Sequence, residues 1–240
     1  MAGATAATRK GVPALATERE LQWPQRMRRR LPNGLEVVLV ESHTIPKFNA
    51  QLIFRSGNAL ASRVAPGLAE MTANVVRTGT ASRSSRQIEE DLRTMGADLA
   101  CVAGADSSAI AFSGLTEFSS GLLELAADLA QHCSFPDDEF ERERRQRIEE
   151  LRIERTTPGF LAGERLRQVL FGAHPYSIAA PTEVQVGSYR REQLVEFHRQ
   201  NYVPDRALLI VVGDFASEKM LQQIEQAFAQ WAGSPPARPE

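Results

Sequence analysis

Four histidines, two cysteines and a long run of alternating acids and bases are the side chains of this sequence with chemistry to offer. His43, His132, His174 and His198 stand far apart and form no i,i+3 or i,i+4 pair, so they cannot present two imidazoles to one metal from a single helix face. They read as histidines satisfied within the fold or exposed on it. Cys101 and Cys133 each stand alone in an apolar setting, which rules out a disulfide framework or a C-x-x-C zinc site and predicts two buried thiols. Ser107, Ser108 and Ser113 fall on strand-like segments without a His/Asp partner pattern, so a serine hydrolase has no support. Residues 141–155, E-R-E-R-R-Q-R-I-E-E-L-R-I-E-R, have the composition of a solvated, salt-bridged helix face.

The elements that must carry these residues are punctuated clearly. Residues 1–22 are Ala/Thr-rich, lack hydrophobic period and read as a flexible leader. Order begins near Trp23. Pro32-Asn33-Gly34 between two alternating stretches, 28–31 and 35–40, predicts a hairpin. A strand is expected over 48–54. A helix follows over 66–77, with Pro66 in its first turn, Leu68, Met71 and Val75 on one face, and Gly79 beyond its end. Ser84 or Ser85 caps another helix, stopped by Gly96. Strands are expected over 98–103 and 107–115, and helices over 120–132, 136–155 and 158–171, the last amphipathic. A Pro-containing loop spans 172–186. A helix over 190–202, a buried strand over 207–212 and a helix over 217–231 complete the half domain expected over 23–232, and the three prolines of 233–240 suggest a linker or tail. Strands and helices cluster rather than alternate strictly. That grouping predicts an α+β fold in which helices cover one face of a mainly antiparallel sheet.

Composition narrows the function classes. At 240 residues the chain can bury roughly 70% of its unfolded surface, enough for a true core. With 42% hydrophobic and 24% charged residues it is globular in composition rather than disordered. Twenty-eight basic residues against 30 acidic ones leave net −2, so there is no electrostatic footprint for nucleic acid. The cluster Arg26, Arg28, Arg29, Arg30 is local and runs straight into hydrophobic alternation. No apolar run is long enough to span a bilayer, and Arg9 and Lys10 are followed by no apolar stretch of the kind a signal peptide needs. The compartment is left unassigned.

One segment carries a pattern that none of these considerations explains. Residues 66–80, P-G-L-A-E-M-T-A-N-V-V-R-T-G-T, resemble the zinc-site helix of the insulinase/pitrilysin metallopeptidases (inverzincins), where a G-L-A lead-in precedes H-x-x-E-H, a few apolar residues and G-T. In that family the two histidines bind zinc and the glutamate between them takes a proton from metal-bound water. A third ligand, a glutamate on a later long helix, lies about 76 residues beyond the second histidine; counted from Asn74, that is Glu150. The run around it also matches the family, with Glu143 seven residues before Glu150 on the same side of a helix. His174-Pro175-Tyr176 resembles the family's H-P-Y loop, and Tyr202-Val203-Pro204 with Gly213-Asp214-Phe215 resembles the entry and exit of its last strand. The resemblance runs from about residue 30 to 232.

At the metal itself this chain departs from the family. Glu70 and Asn74 stand in place of the two histidines, and Ala73 in place of the base. The resemblance therefore implies one half of a two-half clamshell, without catalytic residues, with metal binding weak at most through Glu143 and Glu150, and with no cofactor of its own. It implies a catalytically inactive subunit or domain that pairs with an active zinc-containing partner, or a second half, to enclose an extended peptide, as in the mitochondrial processing peptidase. The chain is then a fragment of a longer polypeptide or a complete half that assembles. Alternatives are an active zinc peptidase with unusual ligands, or a purely structural subunit such as the core subunits of the bc1 complex.

Overall fold

The computed structural model describes residues 23–61 and 65–233. The leader expected over 1–22, and all of the expected tail except Gly233, lie outside the described residues. Six strands are described: β1 (Arg26–Arg30), β2 (Glu36–Glu41), β3 (Lys47–Phe54), β4 (Asp98–Ala103), β5 (Ser108–Leu115) and β6 (Ala207–Gly213). They form one sheet in the order β1-β2-β6-β3-β5-β4. The helices among the described residues are α1 (Asn58–Ala61), α2 (Leu68–Val76), α3 (Ser85–Met95), α4 (Ser119–His132), α5 (Asp137–Glu154), α6 (Pro158–Phe171), α7 (Glu183–Gly187), α8 (Arg191–Asn201) and α9 (Ser217–Phe228).

The α+β class and the mainly antiparallel sheet follow the sequence pattern. β1 and β2 pair antiparallel across the Asn33-Gly34 turn, and Asn33 Nδ2 also donates to the carbonyls of Phe228 and Trp231, at 3.0 and 3.2 Å. β6 pairs parallel with β2 and antiparallel with β3, which puts the last of the described strands in the middle of the sheet. Register aligns the buried side chains in rows across the strands. Leu39, Val211, Ala50 and Phe112 form one row; Val37, Leu209, Leu52 and Ile110 form the next. A one-residue slip in any strand would turn its row out to solvent, so burial fixes the register. Of the helices, α2, α4 and α9 pack directly against the sheet. Val38, Ile210 and Ala111 on the opposite face remain partly exposed.

Three local expectations change. The helix predicted from Pro66 begins at Leu68, because Gly67 is left-handed (φ 81°), and a Cβ there would approach Pro181 Cγ to 2.8 Å. The predicted loop 172–186 contains a 3-10 turn at Pro175–Ser177 and leads into α7, which is set by a reciprocal capping box between Thr182 and Gln185. α6 forms as predicted, yet none of its residues is buried. Cys101 is buried as expected, whereas Cys133 is only partly so.

Candidate functional site

α2 is almost wholly a core helix. Leu68, Ala69, Met71, Thr72, Ala73, Val75 and Val76 are buried, and it packs against β4, α5 and α8. Glu70 and Asn74, one turn apart, are its partly exposed residues and face a common cleft. The start of the helix is fixed from two sides: the Tyr189 hydroxyl donates to the Pro66 carbonyl, and the Glu70 amide donates to Asn58 Oδ1 at 3.3 Å.

α5 forms the opposite wall. Three acids in its first turn, Asp137, Asp138 and Glu139, suit a helix N-terminus. Its buried residues, Phe140, Arg147 and Leu151, repeat at intervals of seven and four and make one stripe against the body. Glu143 and Glu150 share the cleft of about 650 Å³ with Glu70 and Asn74, so the four polar positions that the family pattern singles out come together. Ala73, at the position of the base, is fully buried in the core and does not line this cleft.

Arg142 pairs with Glu143 at 3.2 Å, while Arg147 is the cation that links Glu70 on α2 with Glu150 on α5. Its side chain is 10% exposed, and it lies 3.4 Å from Glu70 (Nε–Oε1), 3.4 Å from Glu150 (Nη1–Oε2) and 2.8 Å from Glu154 (Nη1–Oε1). Gln146 holds the other Glu150 oxygen at 2.9 Å. Burial pushes the Glu70 carboxyl above its ordinary range, with the Arg147 charge acting against that shift; burial likewise raises Glu143, opposed first by Arg142. Among the described residues, no three His, Cys, Asp or Glu side chains are placed to hold one metal ion.

A second cavity of about 590 Å³ lies on the other side of Glu70, lined by Arg147, Glu154, Phe160, Arg167 and Tyr176 together with the end of β4. His174 caps the H-P-Y turn by accepting from the Tyr176 amide at 3.2 Å, and the Tyr176 hydroxyl reaches Asp106 in the β4–β5 turn at 2.5 Å. The loop is thereby pinned beside β4, an edge strand of the sheet. The other histidines serve elsewhere: His43 pairs with Asp214, His132 pairs with Asp128, and His198 is buried. Ser108 donates to the Ser56 carbonyl at 2.7 Å.

Comparison with known proteins agrees with this geometry. The family model described as insulinase (peptidase family M16) matches residues 36–175, well over half of the chain. The chain belongs to the insulinase family, M16. A second M16 model, described as the peptidase M16 inactive domain, matches residues 188–240. An uncharacterised zinc protease of Bacillus subtilis is 22% identical over 83% of this chain and 49% of its own length. Bovine cytochrome b-c1 complex subunit 1, mitochondrial, is 24% identical over 88% of this chain and 44% of its own. Among solved structures, a peptidase M16 inactive domain from Pseudomonas fluorescens superposes with a TM-score of 0.83 at 25% identity, covering 90% of this chain and 53% of that one. This M16 chain thus spans about half the length of the relatives it matches.

The sequence pattern brought out Glu70, Asn74, Glu143 and Glu150 but passed over Arg147 and Glu154. The missed signal is the spacing of Phe140, Arg147 and Leu151, which puts an arginine on the buried stripe of a helix otherwise read as solvated.

Proposed function

We propose that this chain is a non-catalytic M16 half, which completes a peptide-binding chamber with a zinc-bearing partner or second half and does not hydrolyse peptides alone. The observation that carries the reading is the content of the motif positions: Glu70 and Asn74 present a carboxylate and an amide to the cleft that Glu150 also lines, and Ala73 puts a methyl in the core behind them. Zinc favours nitrogen and sulfur donors, and a carboxylate–amide–carboxylate set with a guanidinium among its members does not suit it. Ala73 has no atom to take a proton from water. No hydrolytic step is therefore assigned to this chain's residues.

What the chain retains is a means of holding peptide. β4 is an edge strand, and an extended peptide added to it gains backbone hydrogen bonds without a sequence requirement. Beside its end, the cavity around Arg147, Phe160 and Tyr176 offers room for side chains. Support for a covering half comes from α6, where Leu161, Leu166, Val169 and Leu170 are 46% to 66% exposed. In a chain half as long as its relatives, the occupant assigned to this face is the second half of the clamshell.

The test uses the purified chain with and without a relative that keeps H-x-x-E-H. Alone, it should cleave no peptide before or after zinc addition; mixed, the two should form a stable complex with raised, chelator-sensitive turnover. Chelator-sensitive hydrolysis by this chain alone would overturn the reading. Similarity to the bc1 subunit favours one other role, structural assembly, for which complex formation would leave turnover unchanged.

A further inference from the structure

The family frame puts a metal between the first motif position on α2 and the glutamate on α5, here Glu70 and Glu150. We propose that the Arg147 guanidinium takes the place of that metal, so the site is closed by a cation of the chain's own rather than merely stripped of ligands.

Three observations support this. Arg147 ion-pairs with both residues that occupy outer ligand positions, Glu70 on one helix and Glu150 on the other, each at 3.4 Å, and it anchors on Glu154 at 2.8 Å. The side chain is 10% exposed and belongs to the buried stripe of α5, so it is held in place by packing and does not reach in from solvent. The Glu70 side chain, 34% exposed, is partly desolvated, and burial raises its carboxyl while the Arg147 charge beside it favours the ionised form. A planar, permanently charged guanidinium with several donors can satisfy carboxylates from two helices at once, as a metal would, but it cannot activate water. A divalent ion brought to the same place would meet a fixed positive charge. Restoring the motif residues alone would then leave the block in place. This inference rests on the family frame and not on the partner reading, which partner stimulation tests separately.

The experiment grafts the motif into the full chain as Glu70→His, Ala73→Glu and Asn74→His, once with Arg147 kept and once with Arg147→Leu added, and measures zinc per folded chain by elemental analysis after dialysis. With Arg147 kept, little zinc should remain. With Arg147→Leu, zinc should approach one per chain and disappear again on Glu150→Gln. Full occupancy with Arg147 present, or none in either folded graft, would overturn the proposal. Should the grafts not fold, the wild-type background decides: Arg147→Met should lower the melting temperature, and adding Glu70→Gln should recover part of the loss. No recovery would mean that Arg147 does not neutralise Glu70, and the proposal fails.

Discussion

Acidification should weaken this fold through His198. The residue is 9% exposed, its ring is stacked on Tyr202 at 4.6 Å and edge-on to Phe135 at 5.3 Å, and its Nε2 has no hydrogen-bond partner among the described residues. Burial lowers its pKa from 6.5 to about 4, although hydrogen bonding to the Ala130 and Leu129 backbone pulls the other way. The unfolded chain therefore takes up this proton at a higher pH than the folded one, and stability falls as pH drops from about 6.5 to about 4. At about 1.36 kcal/mol per pH unit, the loss across that window is roughly 3 kcal/mol, with about 2 kcal/mol already gone at pH 5. Glu70 and Glu143, raised by burial, act in the opposite sense, because the folded state protonates them first as pH falls. The contrast must therefore be made between proteins rather than between pH values alone. Urea denaturation at pH 7.5 and pH 5, on wild type and His198→Phe, isolates the term: the variant should lose about 2 kcal/mol less between the two pH values. Equal losses in the two proteins would refute a buried neutral imidazole.

Other consequences are quicker to check. Tyr189→Phe removes the hydroxyl that donates to the Pro66 carbonyl, and an unsatisfied buried carbonyl costs about 1–3 kcal/mol, so calorimetry should show a melting point several degrees lower. Burial pushes the Cys101 and Cys133 thiols up to about 12, so at pH 8 a disulfide reagent should label neither readily in the native protein and both in guanidinium; fast native labelling would contradict the raised thiols. Gly213→Ala would drive a Cβ into the Lys47 carbonyl and Phe48 Cα at the end of β6, where φ is 155°, and should sharply reduce soluble yield. Gly159→Ala, with nothing near its Cβ on the exposed α6, should fold normally and serve as the control.

What could be read from sequence divides along the range of the forces involved. The capped helix from Ser84 to Gly96 was legible because Ser84 and Gln87 close a reciprocal box and Gly96 takes the left-handed terminus, all within a dozen residues. Gathering Glu70, Asn74, Glu143 and Glu150 around one cleft needed the family pattern, since nothing local links α2 to α5. Arg147 escaped because its neighbours Arg144, Arg145 and Arg152 give the segment an overwhelmingly solvated composition; only the phase of Phe140 and Leu151 betrays which arginine turns inward. The place of β6 was not legible at all. Its apolar run marked a buried strand, but parallel pairing with β2 across more than 160 residues of chain depends on contacts that no local pattern encodes.

That strand has a consequence for biogenesis. β6 separates β2 from β3, so a nascent chain that has emerged only as far as α8 holds two unjoined ribbons, β1-β2 and β3-β5-β4, each offering an apolar flank to whatever is nearby. Closure must wait for the last strand, and loop-closure entropy makes such distant pairings slow. Ribosome stalling or proteolysis ahead of Ala207 would release a species primed to aggregate, which makes holdase chaperones the natural company of this polypeptide during synthesis.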